Sequence, residues 1–192
     1  MRICVYAGSN PGELPAYREA ARALGETLAG RGIGLVYGGG RTGLMGAVAD
    51  GCGAAGGEVT GVIPGFLEAK EIAHHGIADL RVVGSMHERK MVMAELSDGF
   101  IALPGGIGTL EELFEIWTWS QLGQHRNPCG LLNVAGFYDR LVAFLDGVVS
   151  EGFLKEDHRR TLLVDTDAGA LLDAFAAYEP PTGGKWLELE TT

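Results

Sequence analysis

The chain is poor in positive charge, in cysteine and in long apolar runs. Lysine and arginine number 15 against 25 aspartates and glutamates, a formal net charge of −10 and a pI near 4.9. A general nucleic-acid binder needs a broad basic face to displace counterions, so that class is excluded as an expectation. A small anion held by a few local donors stays open. Three cysteines, Cys4, Cys52 and Cys129, are scattered and odd in number, with no C-x-x-C. They fit reduced core positions in a cytoplasmic protein rather than a disulfide frame or a zinc site. No stretch approaches the ~18 apolar residues of a membrane span. The first apolar run is too short for a signal peptide and is broken by Gly8-Ser9-Asn10-Pro11. These features predict a protein with no membrane partner.

What is abundant is glycine, 31 of 192 residues, against a usual share of about 7%. Hydrophobic residues at 46% and charged residues at 21% are ordinary for one globular domain, and disorder is not expected. Short apolar runs alternate with longer helical patterns, the signature of a parallel α/β sheet. Strands are expected at 3–7, 33–37, 58–63, 80–83, 99–103, 129–134 and 162–164. Tyr17, Ala20, Ala21, Leu24 and Leu28 recur at helical spacing, predicting a helix over 15–29. Further helices are expected from 43 to about 56, from Met86 to about Ser97, from Leu110 to Leu122, over 137–150 and over 168–178. Residues 66–79 have weak periodicity and read as an irregular loop. Ser85-Met86-His87-Glu88 fits a capping box. Right-handed crossovers then give an open, Rossmann-like doubly wound parallel sheet with helices on both faces. Residues 1–180 are expected as one domain and 181–192 as a loose tail.

Ligands of such sheets sit at the carboxyl ends of the strands, and two glycine turns fall there. Gly38-Gly39-Gly40-Arg41-Thr42-Gly43 matches G-x-G-x-x-G, but a dinucleotide site also needs an acid at the far end of the next strand. Glu58 opens that strand instead, which argues against NAD. Pro104-Gly105-Gly106-Ile107-Gly108-Thr109 leads into a helix whose free N–H groups and dipole suit a phosphate. The Gly-Lys-Ser/Thr of an ATP loop is missing, so a monophosphate fits better than a triphosphate. Thr109-x-x-Glu112 also fits a plain capping box, with Glu112 reaching back to cap the helix. Arg89-Lys90 also reads as an exposed charged helix face. His74 and His75 are adjacent, point apart in any regular element and read as loop residues rather than metal ligands. The helix 110–122 is apolar nearly all round, which favours packing against a second subunit.

Ser85-Met86-His87-Glu88-Arg89-Lys90 and Pro104-Gly105-Gly106-Ile107-Gly108-Thr109-Leu110-Glu111-Glu112 together resemble the LONELY GUY (LOG) family, long labelled lysine decarboxylases. Val5-Tyr6-Ala7-Gly8-Ser9, Tyr37-Gly38-Gly39-Gly40, Gly43-Leu44-Met45-Gly46 and Trp119-Ser120-Gln121-Leu122-Gly123 extend the likeness over nearly the whole chain. The resemblance implies hydrolysis of the N-glycosidic bond of cytokinin riboside 5′-monophosphates or AMP, releasing free base and ribose 5-phosphate. It implies that Arg89 and Glu112 are catalytic. Substrate contacts are implied for Glu71, Arg89, Lys90, Gly106, Ile107, Gly108, Thr109, Leu110, Glu111, Glu112 and Thr118. Ser9, Gly39, Gly40 and Met45 are expected on the other wall. No cofactor or metal is expected, and a homodimer is.

The residue chemistry agrees with that implication. A fixed carboxylate stabilises a cation-like sugar or activates water, and an arginine holds a phosphate or sugar oxygen bidentately and orients the carboxylate. Two other readings remain at this stage. One is a non-catalytic nucleotide or cofactor carrier on the same scaffold. The other is pyridoxal-phosphate decarboxylation through Lys70, Lys90, Lys155 or Lys185, three of which lie away from the expected pocket edge.

Overall fold

The structure is a computed structural model that describes residues 1–68 and 72–181. Glu71, Lys70, Lys185 and the expected tail from 182 onward lie outside the described residues. Seven strands form one sheet: β1 (Arg2–Tyr6), β2 (Gly34–Tyr37), β3 (Val59–Pro64), β4 (Asp79–Val83), β5 (Gly99–Ala102), β6 (Cys129–Leu132) and β7 (Leu162–Asp165). Every pairing is parallel, in the order β4-β3-β2-β1-β5-β6-β7. Strand order reverses between β1 and β5, the crevice where doubly wound sheets place ligands. β2, β3, β5 and β6 are buried along their whole length, as strands covered on both faces must be. Edge strand β4 is partly exposed, and its alternation is correspondingly weak.

The helices are α1 (Pro15–Gly30), α2 (Gly43–Ala54), α3 (Gly65–Glu68), α4 (Met86–Glu95), α5 (Ile107–Gln121), α6 (Asp139–Ser150), α7 (Glu156–Arg160) and α8 (Ala168–Ala176). Side chains of α1, α2 and α8 pack with Ile3, Val5, Leu35 and Tyr37 on one face of the sheet. Side chains of α4, α5 and α6 pack with Cys4, Tyr6, Val36 and Phe100 on the other. In α1 the stripe Ala21, Leu24, Gly25 and Leu28 is buried at helical spacing, and Pro15 opens the helix where its missing N–H costs nothing. The glycine excess has a packing cause here: a Cβ at Gly25 would overlap the α2 backbone at Val48. The three cysteines are buried and free.

Three local expectations differ from the structure. Short helices α3 and α7 were too brief to show a period. The segment before α6 is a 3₁₀ turn, Val134–Gly136, in which Ala135 takes φ 52°, so the helix starts two residues late. Residues 72–74 are more than a loop: Ala73 bridges Gly40 antiparallel. Among the described residues no helix is long and apolar enough to cross a membrane.

Candidate active site

Both glycine turns lie at the carboxyl edge and are tied together through Gly8, which follows β1. The Gly8 N–H donates to Pro104 O at 3.1 Å, and the Gly8 carbonyl accepts from Leu44 N at 2.9 Å. The turn after β2, the start of α2 and the turn after β5 thus share one rim. Ser9 is exposed on it. Gly39, at φ +71°, and Gly40 are buried with Met45 lying across the turn: a Cβ at Gly40 would stand 2.8 Å from Met45 Cε.

α5 begins three residues earlier than a capping box at Thr109 would require. Its N-cap is Gly106, with no side-chain cap, and Thr109 sits buried inside the first turn. Glu112 is therefore in the second turn, beyond reach of a capping role, and that reading is corrected. The physical reason is Gly105: a Cβ there would overlap the Thr109 hydroxyl, so the bare backbone lets Thr109 fold back under the turn and the helix start early. The first amides of α5 have no intrahelical acceptor and no acidic residue in the first turn. Ile107 above them is 83% exposed, and nothing stands within 4 Å of a Cβ built at Gly106 or Gly108. The result is an open, positively polarised socket.

Arg89 enters from α4. Ser85 Oγ accepts from Glu88 N at 3.1 Å, as the sequence predicts, while Glu88 Oε2 reaches one residue further back to Gly84 N at 2.7 Å. That cap sets the first turn from which Arg89 points inward, 10% exposed. Its Nε donates to Val62 O at 3.1 Å and its Nη2 to Gly38 O at 3.2 Å. Two strand-end carbonyls therefore fix the guanidinium plane, and Nη1 stands 3.4 Å from Glu112 Oε1. Gly38 escaped the sequence reading. A Cβ there would overlap the guanidinium, so the first glycine of the run makes room for arginine rather than for a ligand. Only the run itself signalled it.

Glu112 is 11% exposed. Burial raises its carboxyl above the ordinary value, Arg89 pulls it back and neighbouring Glu111 raises it further. Its charge also adds to the burial that pushes Cys4 and Tyr6 upward beneath it. A desolvated carboxylate beside a fixed guanidinium, next to an anion socket, is equipped to meet a positive charge or to accept a proton.

Lys90 is buried to 12% exposure, and its Nζ lies 2.6 Å from Glu111 Oε1 and 3.0 Å from Glu115 Oε1. Burial lowers this ammonium, but the two carboxylates outweigh it and raise it overall. Arg89 and Lys90 are thus both withdrawn from solvent, not an exposed charged face. Leu110 is half-buried against the core on that face of the sheet. Thr118 is exposed on α5, its hydroxyl bonded to Phe114 O at 2.6 Å. It lies six residues past Glu112, about 9 Å along the axis and a third of a turn round. Within one chain it does not join the others.

A cleft of about 200 Å³ lined by Ser9, Tyr17, Leu44, Gly105 and Phe137 adjoins the rim. Larger recesses, of about 550 and 730 Å³, lie around Met1, Arg2 and Glu58 and around Asp50 and Asp79, away from the Arg89–Glu112 pair. Among the described residues no group of three or more potential metal ligands occurs.

Fold and site define a doubly wound α/β protein with an anion socket and a buried arginine–carboxylate pair at its switch point. A family model described as "Possible lysine decarboxylase" matches residues 45–175. Cytokinin riboside 5′-monophosphate phosphoribohydrolase LOG of Oryza sativa subsp. japonica is 51% identical over 179 residues, 93% of this chain and 74% of that protein. The Arabidopsis thaliana relative LOG7, named as the same enzyme, is 50% identical over 179 residues, 93% and 82% of the two chains. The chain belongs to the LOG family. The molybdenum cofactor binding protein of Rippkaea orientalis shares the fold, with a TM-score of 0.69 at 22% identity over 92% of this chain and 95% of that one.

Proposed function

We propose that the protein hydrolyses the N-glycosidic bond of nucleoside 5′-monophosphates, cytokinin riboside 5′-monophosphates or AMP, to free base and ribose 5-phosphate. The observation that carries this reading is the buried Arg89–Glu112 pair, one turn behind the open N-terminus of α5. The 5′-phosphate sits on the amides of Ile107, Gly108 and Thr109, which places the ribose next to Glu112. Cleavage builds positive charge on the sugar, and the desolvated Glu112 carboxylate stabilises it or takes a proton from the attacking water. Arg89 orients that carboxylate and holds a phosphate or sugar oxygen. Lys90 acts from its bridge to Glu111 and Glu115, with Ser9, Gly39, Gly40 and Met45 forming the opposite wall and Glu71 adding a contact, while Thr118 can join only from a second copy of the chain. The relatives' names support the same reaction. The fold shared with molybdenum cofactor carriers supports no binding role at 22% identity.

The working form is a homodimer in the cytoplasm. Leu110 and Phe114, one turn apart on α5, stay half-buried, and Met91 on α4 is 46% exposed, leaving an apolar strip for a second copy.

Incubation with AMP, N6-prenylated AMP and adenosine, followed by chromatography of free bases, tests the reaction. Both nucleotides should release base and adenosine should react poorly. Equal turnover of nucleoside and nucleotide would remove the phosphate from the α5 socket, and release of no base from any nucleotide would remove the reaction.

A further inference from the structure

His74 is expected as a simple loop residue, yet three elements converge on it. Tyr37, the last residue of β2, is fully buried, and its hydroxyl lies 3.0 Å from His74 Nδ1. On the other side of the ring, His74 Nε2 is 3.4 Å from Asp50 Oδ1 on α2. With the ring proton on Nε2 facing the Asp50 carboxylate, Nδ1 presents a lone pair and accepts from the Tyr37 hydroxyl. The backbone of the same segment is laid across the glycine turn. His74 N donates to Gly39 O at 2.8 Å, Arg41 N donates to Ile72 O at 2.9 Å, and Ala73 bridges Gly40.

Gly38 stands between these two sets of contacts. Tyr37 precedes it with its side chain on the α2 face, Gly39 follows it under the His74 amide, and its own carbonyl accepts from Arg89 on the opposite face. We propose that His74 is a positioning residue: the Tyr37–His74–Asp50 chain clamps residues 72–74 over the glycine turn and so fixes the Gly38 carbonyl that holds the Arg89 guanidinium toward Glu112. The clamp rests on contacts alone, and its effect on turnover rests on the function proposed above.

A purely structural role would consist of partnering the buried Tyr37 hydroxyl, and a double variant separates the two. In His74→Ala the hydroxyl loses its acceptor, so both melting temperature and activity should fall. In Tyr37→Phe/His74→Ala no hydroxyl is left to satisfy. Its melting temperature should recover toward wild type, while kcat for AMP stays down by about ten-fold or more, the scale of a small misplacement of catalytic groups. His74→Asn, whose amide oxygen can take the Nδ1 position, should restore much of kcat.

Hydrogen exchange at the amides of residues 41 and 74 gives a readout that needs no substrate. Protection should drop at least ten-fold in the double variant and largely return in His74→Asn. If His74→Ala fails to fold, Tyr37→Phe alone carries the exchange measurement, with the same loss expected. Wild-type protection in the double variant, or recovery of kcat together with melting temperature, would overturn the clamp. A wild-type protein that releases no base would overturn the proposed reaction instead, while exchange still decides the clamp.

Discussion

Glu112 is held where its charge is poorly solvated, and that sets both its chemistry and its cost. Burial raises its carboxyl against the pull of Arg89, so the folded chain binds this proton more tightly than the unfolded chain does. The stability tied to this group is therefore fully present below its ordinary value and is lost as pH rises through the raised one. Glu112→Gln keeps the uncharged shape at every pH. It should melt at or above the wild-type temperature at neutral pH, with the gap closing as the medium is acidified. In the proposed reaction the same change removes the charge that faces the sugar cation, so kcat for AMP should fall by about 10²-fold or more with binding largely kept. A folded Glu112→Gln protein with near-normal turnover would return the residue to a structural role. In the wild type, the acid limb of the kcat/KM profile should lie above the ordinary carboxylate value. Gly38→Ala tests the seat of Arg89 without touching a charge. Its Cβ would overlap the guanidinium, so activity should collapse while melts show the ~1–3 kcal/mol typical of overpacking.

Among the elements, α4 and α5 carry the buried Arg89–Glu112 pair, and their first turns set its geometry. The Ser85 cap of α4 places Arg89 one turn into the helix. Ser85→Ala should cost about 1 kcal/mol, the usual worth of such a cap. Because fraying would reach Arg89, kcat should drop more than the stability loss alone would produce, which thermal melts beside steady-state assays would reveal. α5 works in the opposite manner, since its N-terminus is left without a side-chain cap. That is the basis of the expected phosphate requirement, because a monophosphate can replace solvent on amides that no side chain caps among the described residues.

For the whole molecule, the apolar strip of α5 and α4 is the feature one chain leaves unfinished. Light scattering at micromolar concentration should give about twice 20.3 kDa. Met91→Glu, which puts a charge into the strip, should shift the mass toward the monomer. A wild-type monomer would refute the assembly. Lys90 belongs to this scale as well, since its bridges to Glu111 and Glu115 tie α4 to α5 just beside that strip.

The α/β class, the approximate positions of the seven strands, the Ser85 cap and the placement of both glycine turns at one sheet edge were all legible in the residue order. Those follow from local periodicity and from right-handed crossovers, which act within one βαβ unit at a time. The sequence also singled out Arg89 and Glu112 through the joint motif, but it left Glu112 open between a helix cap and a reacting group. The tertiary structure removes the cap, because the start of α5 depends on Thr109 folding under Gly105, a contact no spacing rule contains. The contact of Gly38 with Arg89 and the contacts of His74 with Tyr37 and Asp50 likewise arise only in three dimensions. Each joins residues 24 to 51 positions apart, and a carbonyl or a missing Cβ acts through where it stands rather than through what letter it bears.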